Sequence, residues 1–195
     1  MRFLEGNRIE LEKTLNDLDR FVIDSISIIQ SHTQYVLVGG YVSILFGRSR
    51  MSEDIDILIP TLSFEKFEQL YTDFISKGFW CINSSNLEEN YKLLKDDHAI
   101  RMTRQEWVIP NLEIRFITFP IDRLTLESSI TVSLPEIELR VAPLEVQIPY
   151  KRIMLGSDKD IEDAIHLEEV FAGKLKLDLM KRFEELIRVE KERKD

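Results

Sequence analysis

The chain has 195 residues, 44% of them hydrophobic and 31% charged, and a formal net charge of −9, a composition that supports a buried apolar core and excludes disordered and fibrous classes. No apolar run approaches the roughly 18 to 20 residues that cross a bilayer, and residues 1–7 lack the apolar core of a secretory signal, so a cytoplasmic protein is expected. One cysteine, Cys81, and three scattered histidines, His32, His98 and His166, exclude a disulfide framework and a thiolate or imidazole metal cluster.

In residues 9–29 the apolar positions Leu11, Leu15, Leu18, Val22, Ile26 and Ile29 recur at steps of three and four, which predicts an amphipathic helix. Residues 35–38 are a short apolar run ending in Gly39-Gly40, a buried strand meeting a tight turn. Residues 41–46 read as a short helix closed by Gly47. Residues 54–59 alternate and then become wholly apolar before Pro60, a second core strand. Ser63 caps a helix whose apolar face is Phe64, Phe67, Tyr71 and Phe74, ended by Gly78.

Residues 79–82 form another strand. Residues 83–90 are polar and loop-like, and residues 91–94 and 99–103 are expected to pair as a hairpin. Residues 112–116 alternate, with Leu112, Ile114 and Phe116 on one face and Glu113 and Arg115 on the other. Residues 130–134 and 137–141 form a second hairpin. After Pro149 the pattern becomes helical, over residues 150–155, 157–171 and 174–193. The expected architecture is α/β (α+β): a mixed sheet flanked by helices in residues 1–149, and a helical extension in residues 150–195 packed on that core.

The charge is uneven. Residues 51–150 hold 9 basic and 17 acidic side chains, so they carry nearly the whole net charge, as a solvated face or as a place that holds cations. Two features there carry chemistry. Glycines at a strand-to-helix turn let the backbone approach an anion, and the N–H groups that follow can hold a phosphate. On a strand, residues i and i+2 share a side, so Asp54 and Asp56 project together, roughly 6 to 7 Å apart. Hard cations such as Mg²⁺ bind through a few carboxylates plus substrate phosphates. Two aspartates beside a phosphate seat therefore point to a metal-nucleotide site. A third carboxylate on a neighbouring strand would complete a two-metal arrangement, and Glu113 is the candidate.

The order Gly39-Gly40, short helix, Asp54-Ile55-Asp56 resembles the nucleotidyltransferase superfamily of polymerase-β-like fold. The stretch from Leu37 to Leu58, with Arg50 and Ser52 ahead of the first aspartate, is similar to the AbiEii-type toxin and related minimal nucleotidyltransferases. Tyr150-Lys151-Arg152 and Lys159-Asp160-Ile161-Glu162-Asp163 are similar to that family's C-terminal lysine and Lys-Asp-x-x-Asp helix. The family's third carboxylate is usually Asp, so Glu113 departs from the pattern. The resemblance implies transfer of a nucleotidyl group from a nucleoside triphosphate (NTP) with two Mg²⁺ ions. Asp54, Asp56 and Glu113 would be metal-binding and catalytic, and Gly39, Gly40, Arg50 and Ser52 would hold phosphate. Lys151 would neutralise charge. It also implies an acceptor that is a protein, a small molecule or a tRNA end, and an antitoxin protein as partner.

Structural readings stand beside these. Arg50 can pair with Glu53 or contact phosphate. Lys151 can lie along a helix or face phosphate. Ser157 and Asp160 fit a capping box, and Asp163, on the same face, can orient substrate. His166 reads as a packed or surface histidine, Cys81 as a small buried hydrophobe, and Trp107 as a loop residue able to stack a base. A catalytically inert module that binds nucleotide or a protein is the rival from another class. A glycosyltransferase ranks lower, because only 53 residues precede Asp54 where that class places a nucleotide-binding half of roughly 100.

Overall fold

The computed structural model describes residues 1–194. Among these residues, nine strands build one mixed sheet: β1 (Arg2–Leu4), β2 (Arg8–Glu10), β3 (Val36–Val38), β4 (Asp54–Ile59), β5 (Phe79–Cys81), β6 (Ile100–Arg104), β7 (Asn111–Phe116), β8 (Ile130–Ser133) and β9 (Glu138–Val141). Their spatial order is β1-β2-β8-β9-β3-β4-β7-β6-β5. The helices are α1 (Asp17–Ile29), α2 (Gly40–Leu45), α3 (Phe64–Ser76), α4 (Leu87–Lys95), α5 (Pro120–Glu127), α6 (Leu144–Tyr150), α7 (Asp158–Val170) and α8 (Leu177–Lys194), with a π-helical turn at Lys151–Leu155 between α6 and α7.

The pattern of β4 explains its place at the centre. It runs antiparallel to β3 and parallel to β7. Ile55, Ile57 and Ile59 point into the main core with Leu112, Ile114 and Phe116 of β7, joined there by Phe21, Val22 and Ile26 of α1 and Phe67, Leu70 and Phe74 of α3. On the opposite face, Leu58 packs with Val36, Leu126 and Ala142 in a smaller cluster. That second face is apolar only along its later half, and Asp54 and Asp56 occupy the earlier half. The alternation followed by a wholly apolar stretch therefore marks where one face of the strand stops being covered.

The expected mixed sheet with flanking helices is present. The single helix expected over residues 9–29 is not: residues 8–10 form β2, paired in parallel with β8, and α1 begins only at Asp17. Asn16 closes a capping box with Asp19, whose backbone N–H donates to Asn16 Oδ1 at 2.9 Å while the Asn16 N–H donates to Asp19 Oδ2 at 3.0 Å. The Asp19 carboxylate, fully buried, also accepts from Lys13 Nζ and the Tyr41 hydroxyl. Leu11 and Leu15 keep helical spacing by coincidence and pack on the core from a segment that is neither helix nor strand.

The hairpin expected over residues 91–103 is also replaced. Asn86 caps α4 by accepting from the Glu89 N–H at 2.9 Å, and Leu87, Tyr91 and Leu94, at helical spacing, pack inward. β6 pairs instead with β5 and β7. Pro149 does not open the helical region: it lies inside α6, which starts at Leu144. Ser63 and the hairpin of β8 with β9 are as expected.

Candidate active site

The turn between β3 and α2 is shaped by what its glycines make room for. Gly39 has φ of 70° and ψ of −145°, a backbone state that L side chains rarely adopt. A Cβ there would stand 2.0 Å from Asp56 Oδ2. Val38 is the ladder partner of Asp56, so the turn brings its backbone directly over that carboxylate. Gly40 answers to a different group: a Cβ on it would stand 2.0 Å from Arg50 Nη2 and 3.2 Å from Ser52 Oγ. The two glycines thus seat the two halves of the motif, an aspartate on one side and a guanidinium on the other.

The parallel ladder of β4 with β7 brings the carboxylates together. Asp54 is opposite Asn111, Asp56 opposite Glu113, and Leu58 opposite Arg115. Asn111 Nδ2 donates to Asp54 Oδ1 at 2.7 Å and fixes that side chain. The Asp56 carboxyl is pushed up to about 6, first by burial, then by the charges of Glu113 and Asp54, with Arg115 and Lys151 pulling the other way. Crowded, partly desolvated carboxylates are the donor chemistry of a hard divalent cation, so Asp54 and Asp56 fit that group. Glu113 fits it less well. Arg101 on β6 donates to Glu113 Oε2 at 3.2 and 3.3 Å, drawing it toward the next strand. Among the described residues, no group of three His, Cys, Asp or Glu side chains is placed to hold a metal ion.

Arg50, Ser52 and Lys151 occupy a second layer. The Ser52 hydroxyl donates to the Asp54 carbonyl at 2.9 Å, which holds the entry to β4. Arg50 lies not on Glu53 but against Asp163 of α7, at 3.1 Å from Oδ2. The same carboxylate takes Lys151 Nζ at 2.8 Å and Arg48 Nε at 2.6 Å. Asp163 is fully buried and the Lys151 side chain is 1% exposed. One buried carboxylate therefore joins three cations from two chain segments. The expected capping box at α7 does not form. The Ser157 hydroxyl donates to the Asp160 carboxylate instead, and Asp160 lies 3.7 Å from Lys151.

A cavity of about 320 Å³ opens on the same sheet face, reaching Gly39, Asp56 and Glu113 at one end and Arg115 further along, with α5 and α6 across from the sheet. Sequence reasoning missed Arg48, Asn111, Arg115 and Gln147 as site residues. Arg115 and Asn111 were legible as same-face neighbours of Glu113, two residues either side of it; Arg48 and Gln147 carried no local signal. His166 packs as a structural residue, 3.2 Å from the Phe46 carbonyl oxygen. Cys81 is buried, its thiol pushed up by that burial. Trp107 is half exposed on the loop before β7.

No family model and no curated protein matches the sequence. Solved structures do. The chain is similar to an antigenic nucleotidyltransferase-like protein from Paracoccidioides brasiliensis, at 16% identity and a TM-score of 0.50, with 89% of this chain and 88% of that one covered. It is also similar to the antibiotic-resistance factor ANT(2'')-Ia, at 11% identity and a TM-score of 0.51, with 88% and 91% covered. The chain shares the fold of these two structures, with the mixed sheet and flanking helices that the sequence leads one to expect. At these identities the likeness is one of fold.

Proposed function

We propose that the chain binds an NTP with a divalent cation and transfers its nucleotidyl group to an acceptor hydroxyl. The observation that supports this is the packing of Asp56 against Gly39, with Asp54 on the same face and Glu113 across the ladder. Asp54 and Asp56 would hold the cation, which, when bound, neutralises phosphate charge. The Gly39-Gly40 backbone and Arg50, whose side chain is 17% exposed, hold the phosphates. Ser52 keeps Asp54 in line. Lys151 is too buried for contact and acts on the site through its positive field. The acceptor oxygen bonds to the α-phosphorus as the bond to the β-phosphate's bridging oxygen breaks, and pyrophosphate leaves. Glu113 takes the acceptor proton. The helical extension of residues 150–195 supplies the Lys151 and Asp163 side of the cleft.

The test is Mg²⁺-dependent transfer from α-labelled NTPs to a cell extract. Label appears with the native chain and not with the Asp54→Asn/Asp56→Asn variant; survival of transfer in the variant sinks the assignment. The AbiEii-type resemblance extends the proposal to a toxin with an antitoxin partner, in which case expression of the native chain arrests growth and the double variant does not.

A second reading has its own support. The Glu113 pairing with Arg101 and the lack of a three-carboxylate group among the described residues favour a module that binds nucleotide without turnover. Calorimetry with each NTP, with and without Mg²⁺, separates the two when run beside the transfer assay: binding without transfer selects the module.

A further inference from the structure

We propose that the side-chain carbonyl oxygen of Asn111 is a third ligand of a divalent cation held by Asp54 and Asp56, presented by a half-turn of the carboxamide when the cation binds. This rests on the reading that the two aspartates hold a cation, and does not depend on whether transfer follows. A hard divalent cation gathers about six oxygens, water included, and two aspartates supply only part of that set. Glu113 is drawn away from it by Arg101, which donates at 3.2 and 3.3 Å. Asn111 is better placed. It is the ladder partner of Asp54, on a strand roughly 4.8 Å away, and it precedes Glu113 by two residues, so both side chains rise from one face of β7. Its carboxamide already touches the site, with Nδ2 at 2.7 Å from Asp54 Oδ1.

That carboxamide is tied at one end only. Nδ2 donates to Asp54 Oδ1 and, at 3.4 Å, to the Glu53 carbonyl. Oδ1 has no hydrogen-bond partner among the described residues, although Asn111 is 4% exposed and the oxygen itself is shut off from solvent. A buried carbonyl oxygen left unpaired is costly. An asparagine bonded through both ends is locked in one orientation; with Oδ1 unpaired, the charge on Asp54 sets the orientation. Facing a bare carboxylate, the amide presents its hydrogens. A cation on Asp54 reverses the sign of the local charge, repels those hydrogens and attracts the carbonyl oxygen. The exchange needs only rotation about Cβ–Cγ, a broad torsion for asparagine, and the nitrogen and oxygen fill nearly the same space. The Glu53 carbonyl keeps its bond from the Asn111 backbone N–H, at 2.8 Å, so the ladder is undisturbed. One carboxamide thus pairs with Asp54 in the cation-free chain and with the cation in the loaded one, whereas an aspartate at 111 would repel Asp54 whenever the cation left.

The test titrates Mg²⁺ and Cd²⁺ into the full native chain and into Asn111→Leu and Asn111→Cys, followed by calorimetry and ultraviolet absorption. The native chain binds Mg²⁺, and Asn111→Leu, which keeps the branched shape without the oxygen, binds it about ten-fold more weakly. That loss alone would also follow if Asn111 only aligned Asp54. Asn111→Cys separates the two roles: a thiolate that touches the metal selects the soft Cd²⁺ over Mg²⁺ and gives a sulfur-to-cadmium charge-transfer absorption. The native chain, whose one thiol, Cys81, is buried, gives none. Unfolding midpoints without metal check that both variants fold, and a measurement on the native chain needs no variant: the NMR signals of the Asn111 side-chain NH₂ move as Mg²⁺ saturates the site. The proposal is overturned if Asn111→Leu binds Mg²⁺ as tightly as the native chain, if Asn111→Cys gives no cadmium–thiolate absorption, or if the Asn111 NH₂ signals stay in place. If the native chain binds no divalent cation, the reading beneath the proposal falls with it; if the native chain binds and the variants match it, only the Asn111 assignment falls.

Discussion

Gly39 has no side chain because Asp56 occupies the place of one: a Cβ on residue 39 would stand 2.0 Å from Asp56 Oδ2. Gly39→Ala therefore meets both a positive-φ backbone and a buried carboxylate. The expected loss of stability is about 1 to 3 kcal/mol from the backbone alone, with more from the displaced aspartate. In an Asp56→Ala background the steric part shrinks, so urea unfolding of the two single variants and the double variant returns a non-additive cycle. Additivity would place Asp56 elsewhere.

The raised pKa of Asp56 has a defined sign. Burial and the neighbouring carboxylates lift it from 3.8 to about 6. Below pH 3.8 both folded and unfolded chains carry the proton and the crowding costs nothing. As pH rises through about 6 the folded chain must ionise against its surroundings, and stability falls by up to about 3 kcal/mol. Asp56→Asn should thus stabilise the metal-free protein at pH 7.5 and be neutral at pH 3.5, as read by thermal unfolding at the two pH values. Mg²⁺ should raise the native Tm at pH 7.5 and leave that of the variant unchanged.

Asp163 is the counter-charge for Arg48, Arg50 and Lys151. Asp163→Asn leaves three cations facing one another around a buried centre, and the expected cost is about 3 to 5 kcal/mol, a large part of a typical domain's stability of about 5 to 15 kcal/mol. Lys151→Met is milder, because Asp163 keeps both arginines. Adding Lys151→Met to Asp163→Asn should recover part of the loss. Denaturant midpoints for the three variants decide it, and equal losses from Asp163→Asn and Lys151→Met would refute the hub.

Arg101 and Glu113 form a half-exposed ion pair, of the kind worth about 0 to 1 kcal/mol. Neither Arg101→Gln nor Glu113→Gln should move the unfolding midpoint appreciably. If Glu113 accepts the acceptor proton, Glu113→Gln lowers the single-turnover transfer rate by about a hundred-fold. A rate within about three-fold of native would assign Glu113 to Arg101 alone.

Much of the centre of this fold is legible along the chain. Alternation over residues 54–59 and its stop at Pro60 mark β4, and the period of two places Asp54 and Asp56 on one side without any knowledge of neighbours. Gly39-Gly40 after an apolar run marks the turn. The N-terminal segment is not legible in the same way. Leu11 and Leu15 keep helical spacing, yet residues 8–10 pair with β8, a partner more than 120 residues away. Residues 87–95 are mostly the helix formers Leu, Glu and Lys, and with the Asn86 cap and the packing of Leu94 in the core they form a helix where the sequence reading placed a loop and a hairpin strand.

The pairing of β4 with β7 was beyond any local pattern. It sets Glu113 against Asp56 and Arg115 against Leu58, and a slip of one residue would turn both charged side chains to the other face. Asp163 shows the same limit in the opposite direction. Its sequence neighbours describe a charged helix, and only the docking of α7 against residues 48–50 and Lys151 makes it a buried counter-ion. Local patterning determined the elements and the chemistry they carry, because side-chain period and turn preference act within a few residues. Tertiary structure decided which charges meet, because charge pairing and burial act across space between segments that the chain holds far apart.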